Sequence, residues 1–127
     1  MKGYGNAAKI AANLLADQTS LAPRDAWSLA VAQEFEKESL RNKDCPRATF
    51  LALCQAGKVK AAPSGDYTRS QKNAAYALDA VELLGADRTL SNTPKALWKA
   101  VTNGREVRHN SQMDVVTALW NNNLISR

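Results

Sequence analysis

Apolar residues recur at intervals of three and four through most of this chain, which is the spacing of one face of an α-helix. In the second such segment the apolar stripe is Trp27, Ala30, Val31 and Phe35. Short polar stretches separate six segments of this kind, and runs of strand-forming residues are absent. The predicted helices span residues 6–17, 23–40, 46–57, 68–85 and 93–104, and a sixth opens at 111. The pattern predicts an all-α fold, with a single compact domain of about six helices over residues 1–127.

Residues typical of helix ends set these bounds. Pro23 and Pro94 fit the first turn of a helix, where the backbone N–H has no partner in any case. Gly57, Gly85 and Gly104 suit the position just after a helix. Two further starts match the capping-box pattern, and they are Thr68-Arg69-Ser70-Gln71 and the acidic variant Ser111-Gln112-Met113-Asp114.

Two predicted helix ends share one spacing of residues. The two sets are Phe50, Leu53, Gly57, Val59 and Val116, Leu119, Asn123, Ile125. Each set describes a helix that ends in a residue able to adopt the left-handed conformation, followed by an aliphatic side chain that folds back on the last turn. The segments after both ends, around Val59 and at Leu124-Ile125, are candidates for a very short two-stranded ribbon. Alternatively, the shared spacing reflects two similar helix ends whose following segments do not pair with each other.

The composition fits a globular helical domain. The chain has 127 residues, a usual length for one domain, and 22 of them are alanine, the best helix former. No apolar run approaches the roughly 18–20 residues of a membrane span, and the first residues do not resemble a signal peptide. Cys45 and Cys54 would lie on opposite sides of one helix, too far apart for a disulfide. Free thiols predict a cytoplasmic protein.

The charge distribution is the strongest pointer to a function. The formal net charge is +5, and residues 41–73 hold seven basic residues against two acidic ones. This segment therefore accounts for the whole excess, and the rest of the chain is neutral. One concentrated positive segment on a neutral helical body is typical of an anion-binding surface.

Cations also lie at three predicted helix starts. They are Arg47 after Pro46, Arg69 and Lys72 in the fourth helix, and Arg105, Arg108 and His109 before Ser111. A cation at a helix start meets the positive end of the helix dipole and costs about 0.3–1 kcal/mol. A bound phosphate would satisfy the free N–H groups and the cations together.

Residues 58–73 are the best candidate for such a site, because hydroxyls and an aromatic ring lie among the cations. The leading hypothesis is a non-enzymatic protein that binds phosphate groups, with nucleic acid as the partner and Tyr67 as a stacking surface for a base. The predicted binding residues are Arg47, Lys58, Lys60, Tyr67, Thr68, Arg69, Ser70, Lys72, Asn73, His109, Asn110 and Ser111. A solvated basic loop capped by Thr68 fits the same residues, since clustered charge alone discriminates weakly.

A second hypothesis is a protein–protein interface or homodimer. The segment Trp120–Ile125 carries large apolar groups that either pack in the core or form a seam between two copies. The core is the favoured place for Trp120, as it is for Trp27 and Trp98, because all three lie on inward helical stripes.

A third hypothesis is a small enzyme or ligand binder. Cys45 would cap the third helix beside Lys43 and Arg47, cations that favour a thiolate, and His109 is the only imidazole in the chain. Arg69, Asn110 and Asp114 complete the candidate set. The spacing of Cys45 and His109 matches no catalytic signature, so a non-enzymatic protein is favoured. One histidine and two separated cysteines give no metal-ligand spacing, and no glycine-rich phosphate motif occurs, so neither a metal nor a cofactor is predicted.

Three passages together are similar to a known family. They are Cys45-Pro46-Arg47-Ala48-Thr49-Phe50-Leu51-Ala52-Leu53-Cys54, Tyr67-Thr68-Arg69-Ser70-Gln71-Lys72-Asn73 and His109-Asn110-Ser111-Gln112-Met113-Asp114-Val115-Val116. On these passages the chain resembles a family of small bacterial proteins of unknown function, from about Tyr4 to Ile125. The resemblance implies a bacterial, single-domain, mostly helical protein. It implies no activity, cofactor or catalytic residue.

Overall fold

The periodic segments fold into helices around one core. The computed structural model describes residues 3–126. In chain order the elements are α1 (Tyr4–Asp17), α2 (Pro23–Glu34), α3 (Glu38–Arg41), α4 (Asp44–Gln55), α5 (Gln71–Ala86), a 3-10 helix (Arg88–Asn92), α6 (Pro94–Val101) and α7 (Gln112–Asn121). The predicted all-α fold is confirmed, and all six predicted helices are present. Residues 1, 2 and 127 of the predicted domain lie outside the described residues.

Helix α7 is the central helix of the bundle. It packs against α1, α4, α5 and α6, while α1 also packs along α2. Its fully buried side chains are Met113, Val115, Val116 and Leu119. Gly5 allows the close approach of α1, because a Cβ at this position would lie 2.8 Å from the backbone oxygen of Asp114. No helix within residues 3–126 is long and apolar enough to cross a membrane.

The three tryptophans lie in this core, as the sequence predicts. Trp27, Trp98 and Trp120 are 1%, 7% and 6% exposed, and Ile125 near the end of the chain is fully buried. Trp120 and Ile125 therefore pack inside the chain's own core, and the partly buried Leu124 packs against it. A dimer seam built from Trp120 and Ile125 would require this end of the fold to open.

The second helix ends earlier than predicted, at Glu34 instead of residue 40. The Glu34 carboxylate is buried and accepts hydrogen bonds from the Gly3 N–H (2.5 Å) and the Asn6 side-chain amide (2.8 Å), so it caps the start of α1. Phe35 is extended, and the Arg41 guanidinium donates to its carbonyl oxygen at 2.5 Å. Two side-chain contacts with other parts of the chain thus stop a helix that its own periodicity would continue.

Two helix starts also differ from their predictions. Helix α4 begins at Asp44, with Lys43 as the N-cap residue, so the prediction that Cys45 caps this helix is wrong. Helix α5 begins at Gln71, and its cap is Ser70, whose hydroxyl accepts from the Asn73 N–H. Thr68, the predicted cap, instead accepts from the Ser70 N–H and forms the turn before the helix.

The two matching helix ends behave alike, and they meet. Gly57 and Asn123 both adopt left-handed conformations, with φ of 75° and 61°. The residue after each donates to a carbonyl five positions back, Lys58 to Leu53 and Leu124 to Leu119, both at 2.9 Å. Val59 and Ile125, which follow, form an isolated antiparallel β-bridge. The predicted ribbon is therefore present in its shortest form, a single bridged pair.

Candidate anion-binding site

Three arginines from three separate elements line one cleft of about 490 Å³. Arg24 lies in the first turn of α2, Arg47 lies in α4, and Arg69 lies in the loop that precedes α5. The remaining lining residues are Ser28, Leu51, Tyr67 and Thr68. None of the described residues that line this arginine cleft is acidic. The cleft therefore gathers three guanidinium groups without a carboxylate in its wall.

The loop that carries Arg69 is held in place by side chains from two helices. The Gln55 side-chain oxygen accepts from the backbone N–H groups of Tyr67 at 2.7 Å and Thr68 at 3.0 Å. From the other side, the Arg24 Nε donates to the Tyr67 carbonyl at 2.9 Å. These contacts fix the backbone beside Arg69 before any ligand is present.

The Tyr67 side chain contacts other residues of its own loop. Its hydroxyl donates to the Pro63 carbonyl at 2.7 Å. The phenol end of the ring lies against Gly65, where an added Cβ would come within 2.8 Å of the Tyr67 Cζ and hydroxyl oxygen. Any side chain larger than hydrogen at residue 65 would therefore displace the ring.

The guanidinium groups of the cleft keep donors for a ligand. Arg24 uses its Nε on the Tyr67 carbonyl, and Arg69 is exposed, with no hydrogen bond or ion pair to another described residue. Arg47 forms an ion pair with Asp44, three residues earlier on α4. The Asp44 side chain is 83% exposed, so solvent weakens this pair and a phosphate can compete with it.

The other predicted cations do not join this cleft. Lys58 and Lys60 follow the end of α4 and flank Val59 of the β-bridge, while Lys72 lies in the first turn of α5. Arg41 caps the end of α2 by donating to the carbonyls of Ala32 and Phe35. The positive segment of the sequence is thus divided among several places on the fold.

A second group of predicted residues forms a hydrogen-bonded network between the starts of α5 and α7. The buried Gln112 side chain links the two: its oxygen accepts from the Asn110 N–H at 2.6 Å, and its amide donates to the Asn73 oxygen at 3.3 Å. Asn73 in turn donates to the Ser70 hydroxyl at 3.0 Å. Because these groups bond to one another, the network joins two helices and offers an anion few free donors.

The His109 side chain makes the capping hydrogen bond of α7, a role that the sequence assigned to Ser111. Its Nε2 accepts from the Met113 N–H at 3.0 Å, and its ring packs on Trp98 with centroids 5.1 Å apart. Ser111 has a left-handed conformation and makes no capping bond, so the predicted capping box at this start is wrong. Burial lowers the pKa of His109, and the nearby Asp114 charge partly opposes this shift.

This cap predicts a pH dependence of stability. Only the neutral imidazole accepts the Met113 N–H. Because the pKa of His109 is lowered in the folded protein, the cap contributes fully to the free energy of unfolding above about pH 6.5, and this contribution is lost as acid protonates the ring. The wild type should exceed His109→Ala by about 1 kcal/mol in unfolding free energy at neutral pH, the usual value of a helix cap. Urea unfolding of both proteins between about pH 7.5 and about pH 5 measures the difference. A difference that stays constant over this range would contradict the cap.

The candidate nucleophile and base line different cavities. Cys45 lines a cavity of about 260 Å³ with Tyr4, Asn110 and Ser111, whereas His109 lines another cavity with Pro94 and Asp114. The His109 Nε2 is also occupied by the Met113 N–H. Nothing in this arrangement brings an imidazole nitrogen to the thiol.

The second cysteine belongs to the core. Cys54 is fully buried, and burial raises the pKa of its thiol to about 12. Both cysteines are free, as the sequence predicts.

The sequence also matches a family model, which describes a family of unknown function (DUF6979) and covers residues 1–126. The chain belongs to this family. Neither a curated protein nor a solved structure matches it. Membership in DUF6979 is consistent with the resemblance to an uncharacterised family, and it assigns no activity to any residue.

Sequence reasoning missed four residues of the site in this DUF6979 chain, and they are Arg24, Ser28, Leu51 and Gln55. Arg24 carries the same kind of signal as Arg47, a cation near a helix start, and a wider search of helix starts would have found it. Gln55 has no such signal, because its role is to hold a loop that lies twelve residues further along the chain.

Proposed function

We propose that this protein is a non-enzymatic, nucleic-acid-binding protein that holds the phosphate backbone of a single strand in the arginine cleft. The observation that carries the proposal is the meeting of Arg24, Arg47 and Arg69 in one cleft whose described lining includes no acid. A concave site of this size suits a phosphate with its sugar better than the broad flank of a duplex. Thr68 and Ser28 add hydroxyl donors at the same wall.

Guanidinium chemistry favours phosphate as the ligand. Each planar guanidinium offers parallel N–H donors that match two oxygens of one phosphate, and such charge-assisted bonds are about twice as strong as neutral ones. Leu51 is 4% exposed and lines the cleft, so part of the wall is apolar and weakens screening of the charges. The loop that carries Arg69 is already fixed by Gln55, which reduces the ordering cost of binding.

The whole-chain charge supports the same partner. The net charge of +5 and the isoelectric point near 9.4 would attract a polyanion and speed its association. We place the protein in the cytoplasm, where free thiols such as those of Cys45 and Cys54 persist and nucleic acid is present.

Removal of the three cleft arginines tests the proposal. The variant Arg24→Gln, Arg47→Gln, Arg69→Gln should bind a fluorescently labelled single strand at least about tenfold more weakly at low salt. The slope of log affinity against log salt concentration should also be less steep by about 2, since each lost phosphate contact removes roughly 0.7 from it. Fluorescence anisotropy over a salt series measures both quantities. DNA and RNA strands of the same sequence are compared in parallel.

A matched control removes the same charge elsewhere. Arg88, Lys99 and Arg108 are exposed and do not line the arginine cleft, so their triple glutamine variant should change affinity by no more than about threefold through long-range charge alone. An equal loss in both variants would mean that binding depends on diffuse charge and not on the cleft. A greater loss on replacing Lys58, Lys60 and Lys72 would move the site to the lysines favoured by the sequence. Failure of the wild type to bind either strand at low salt would refute the proposed function.

A further inference from the structure

A second cleft adjoins the arginine cleft and shares two of its residues. It has a volume of about 540 Å³, and Ser28 and Arg47 line both clefts. Its other lining residues are Trp27, Val31, Glu36, Glu38, Arg41 and Asn42. A ligand whose phosphate lies among the arginines can therefore extend into this second cleft.

Trp27 in this cleft carries an unsatisfied hydrogen-bond donor. The residue is 1% exposed, and its indole N–H has no acceptor within residues 3–126. By contrast, the indole N–H of Trp98 donates to the Val107 carbonyl at 2.8 Å. Buried N–H groups without an acceptor are rare in folded proteins. The Trp27 ring is held in this orientation because it stacks on the Phe50 ring, with the ring centroids 5.3 Å apart.

Two carboxylates of the second cleft also lack partners. Glu36 and Glu38 are exposed and form no ion pair with another described residue, although two arginines line the same cleft. Arg41 is occupied by the carbonyls at the end of α2, and Arg47 pairs with Asp44. The cleft thus offers carboxylate acceptors, and its wall includes Trp27, whose buried N–H has no acceptor within residues 3–126.

We infer that the second cleft takes the base of the nucleotide whose phosphate the arginine cleft holds, and that it prefers guanine; this inference rests on the proposed function. Guanine has two adjacent donors, N1–H and the N2 amino group, which match the two oxygens of one carboxylate from Glu36 or Glu38. Its O6 and N7 atoms are acceptors that suit the donors of Trp27 and Asn42. Adenine and cytosine offer one amino group to a carboxylate, and uracil offers a single N–H.

Titration of the full chain with single nucleotides tests the preference. GMP should bind about tenfold more tightly than UMP, and the affinities for AMP and CMP should lie between them. A factor of ten is at the lower end of the discrimination that one bidentate hydrogen-bonded pair gives. Inorganic phosphate serves as the probe of the arginine cleft alone. In ¹H–¹⁵N spectra the Trp27 indole signal, assigned with Trp27→Phe, should move on addition of GMP and move less with phosphate.

The variant Glu36→Gln, Glu38→Gln separates the two clefts. It should reduce the affinity for GMP to that for UMP and leave the affinity for inorganic phosphate unchanged or slightly higher. The control Glu82→Gln, Glu106→Gln removes two exposed carboxylates that line neither cleft and should keep the GMP preference.

Different results would refute the guanine site and the arginine cleft. Three results would overturn the guanine site alone. They are equal affinity for the four nucleotides, a GMP preference that survives in the variant Glu36→Gln, Glu38→Gln, and binding of a strand without any binding of mononucleotides. In each of these cases the loss of strand binding in the triple arginine variant still supports the arginine cleft. Absence of binding to strands, nucleotides and phosphate overturns both.

Discussion

Replacement of Phe50 by alanine should lower the free energy of unfolding by about 3–5 kcal/mol, the usual loss for a buried phenylalanine. Phe50 is fully buried and stacks on Trp27, with ring centroids 5.3 Å apart and an angle of 28° between the planes. Truncation leaves a cavity between α2 and α4 and also removes the aromatic pair. Since a domain of this size is stable by only about 5–15 kcal/mol, this change takes a large share of the total.

Urea denaturation followed by circular dichroism measures the loss. The control is Leu29→Ala on α2, because the Leu29 side chain is 52% exposed and its removal should change stability by no more than about 0.5 kcal/mol. Similar values for the two variants would mean that the Trp27–Phe50 contact does not hold α2 to α4. That contact also matters for the arginine cleft, because Arg24 and Arg47 lie on these same two helices.

Replacement of Gly5 by alanine should lower the free energy of unfolding by about 1–3 kcal/mol, as expected for overpacking. The new Cβ would lie 2.8 Å from the Asp114 backbone oxygen and 3.1 Å from the Ala118 Cβ. A backbone atom of the central helix cannot move aside as a flexible side chain would, so α1 and α7 must separate.

A second glycine supplies the control for this prediction. Gly85 is also helical, but a Cβ there meets nothing within 4 Å. Gly85→Ala should therefore raise stability by about 0.4–1 kcal/mol, because alanine loses less conformational freedom on folding. Opposite signs for the two substitutions, measured by thermal or urea unfolding, are the expected result. A stabilising Gly5→Ala would show that α1 does not approach α7 so closely.

Sequence reasoning predicted the features of this fold that neighbouring residues determine. Helical periodicity places Trp27, Ala30 and Val31 correctly on the buried face of α2, and local stop signals identify the left-handed residues Gly57 and Asn123. In both cases the deciding contacts lie within about one turn of the residue concerned. The bridge between Val59 and Ile125 joins residues far apart in the sequence, and the matching helix ends offered it only as one of two alternatives.

The caps wrongly assigned to Cys45 and Thr68 are local errors of two residues, whereas the other wrong predictions involve contacts between distant segments. Helix α2 stops at Glu34 because that carboxylate caps α1, some thirty residues earlier, and no local signal records this. The arginine cleft needs the packing of α2 on α4, so the sequence could nominate Arg47 and Arg69 but not the place where they meet Arg24. His109 replaced the expected serine cap because its ring is held in position by Trp98.

The three arginines of the cleft stand 23 and 22 positions apart in the sequence, so no unfolded chain presents them together. A compound that contacts all three therefore recognises only the native state and is thermodynamically linked to folding. At a concentration about a hundredfold above its dissociation constant it would add about 2.7 kcal/mol to the native state and raise the melting temperature. Thermal scans against short single strands and mononucleotides thus offer a direct search for the natural ligand, and the variant that lacks the three cleft arginines identifies compounds that act elsewhere.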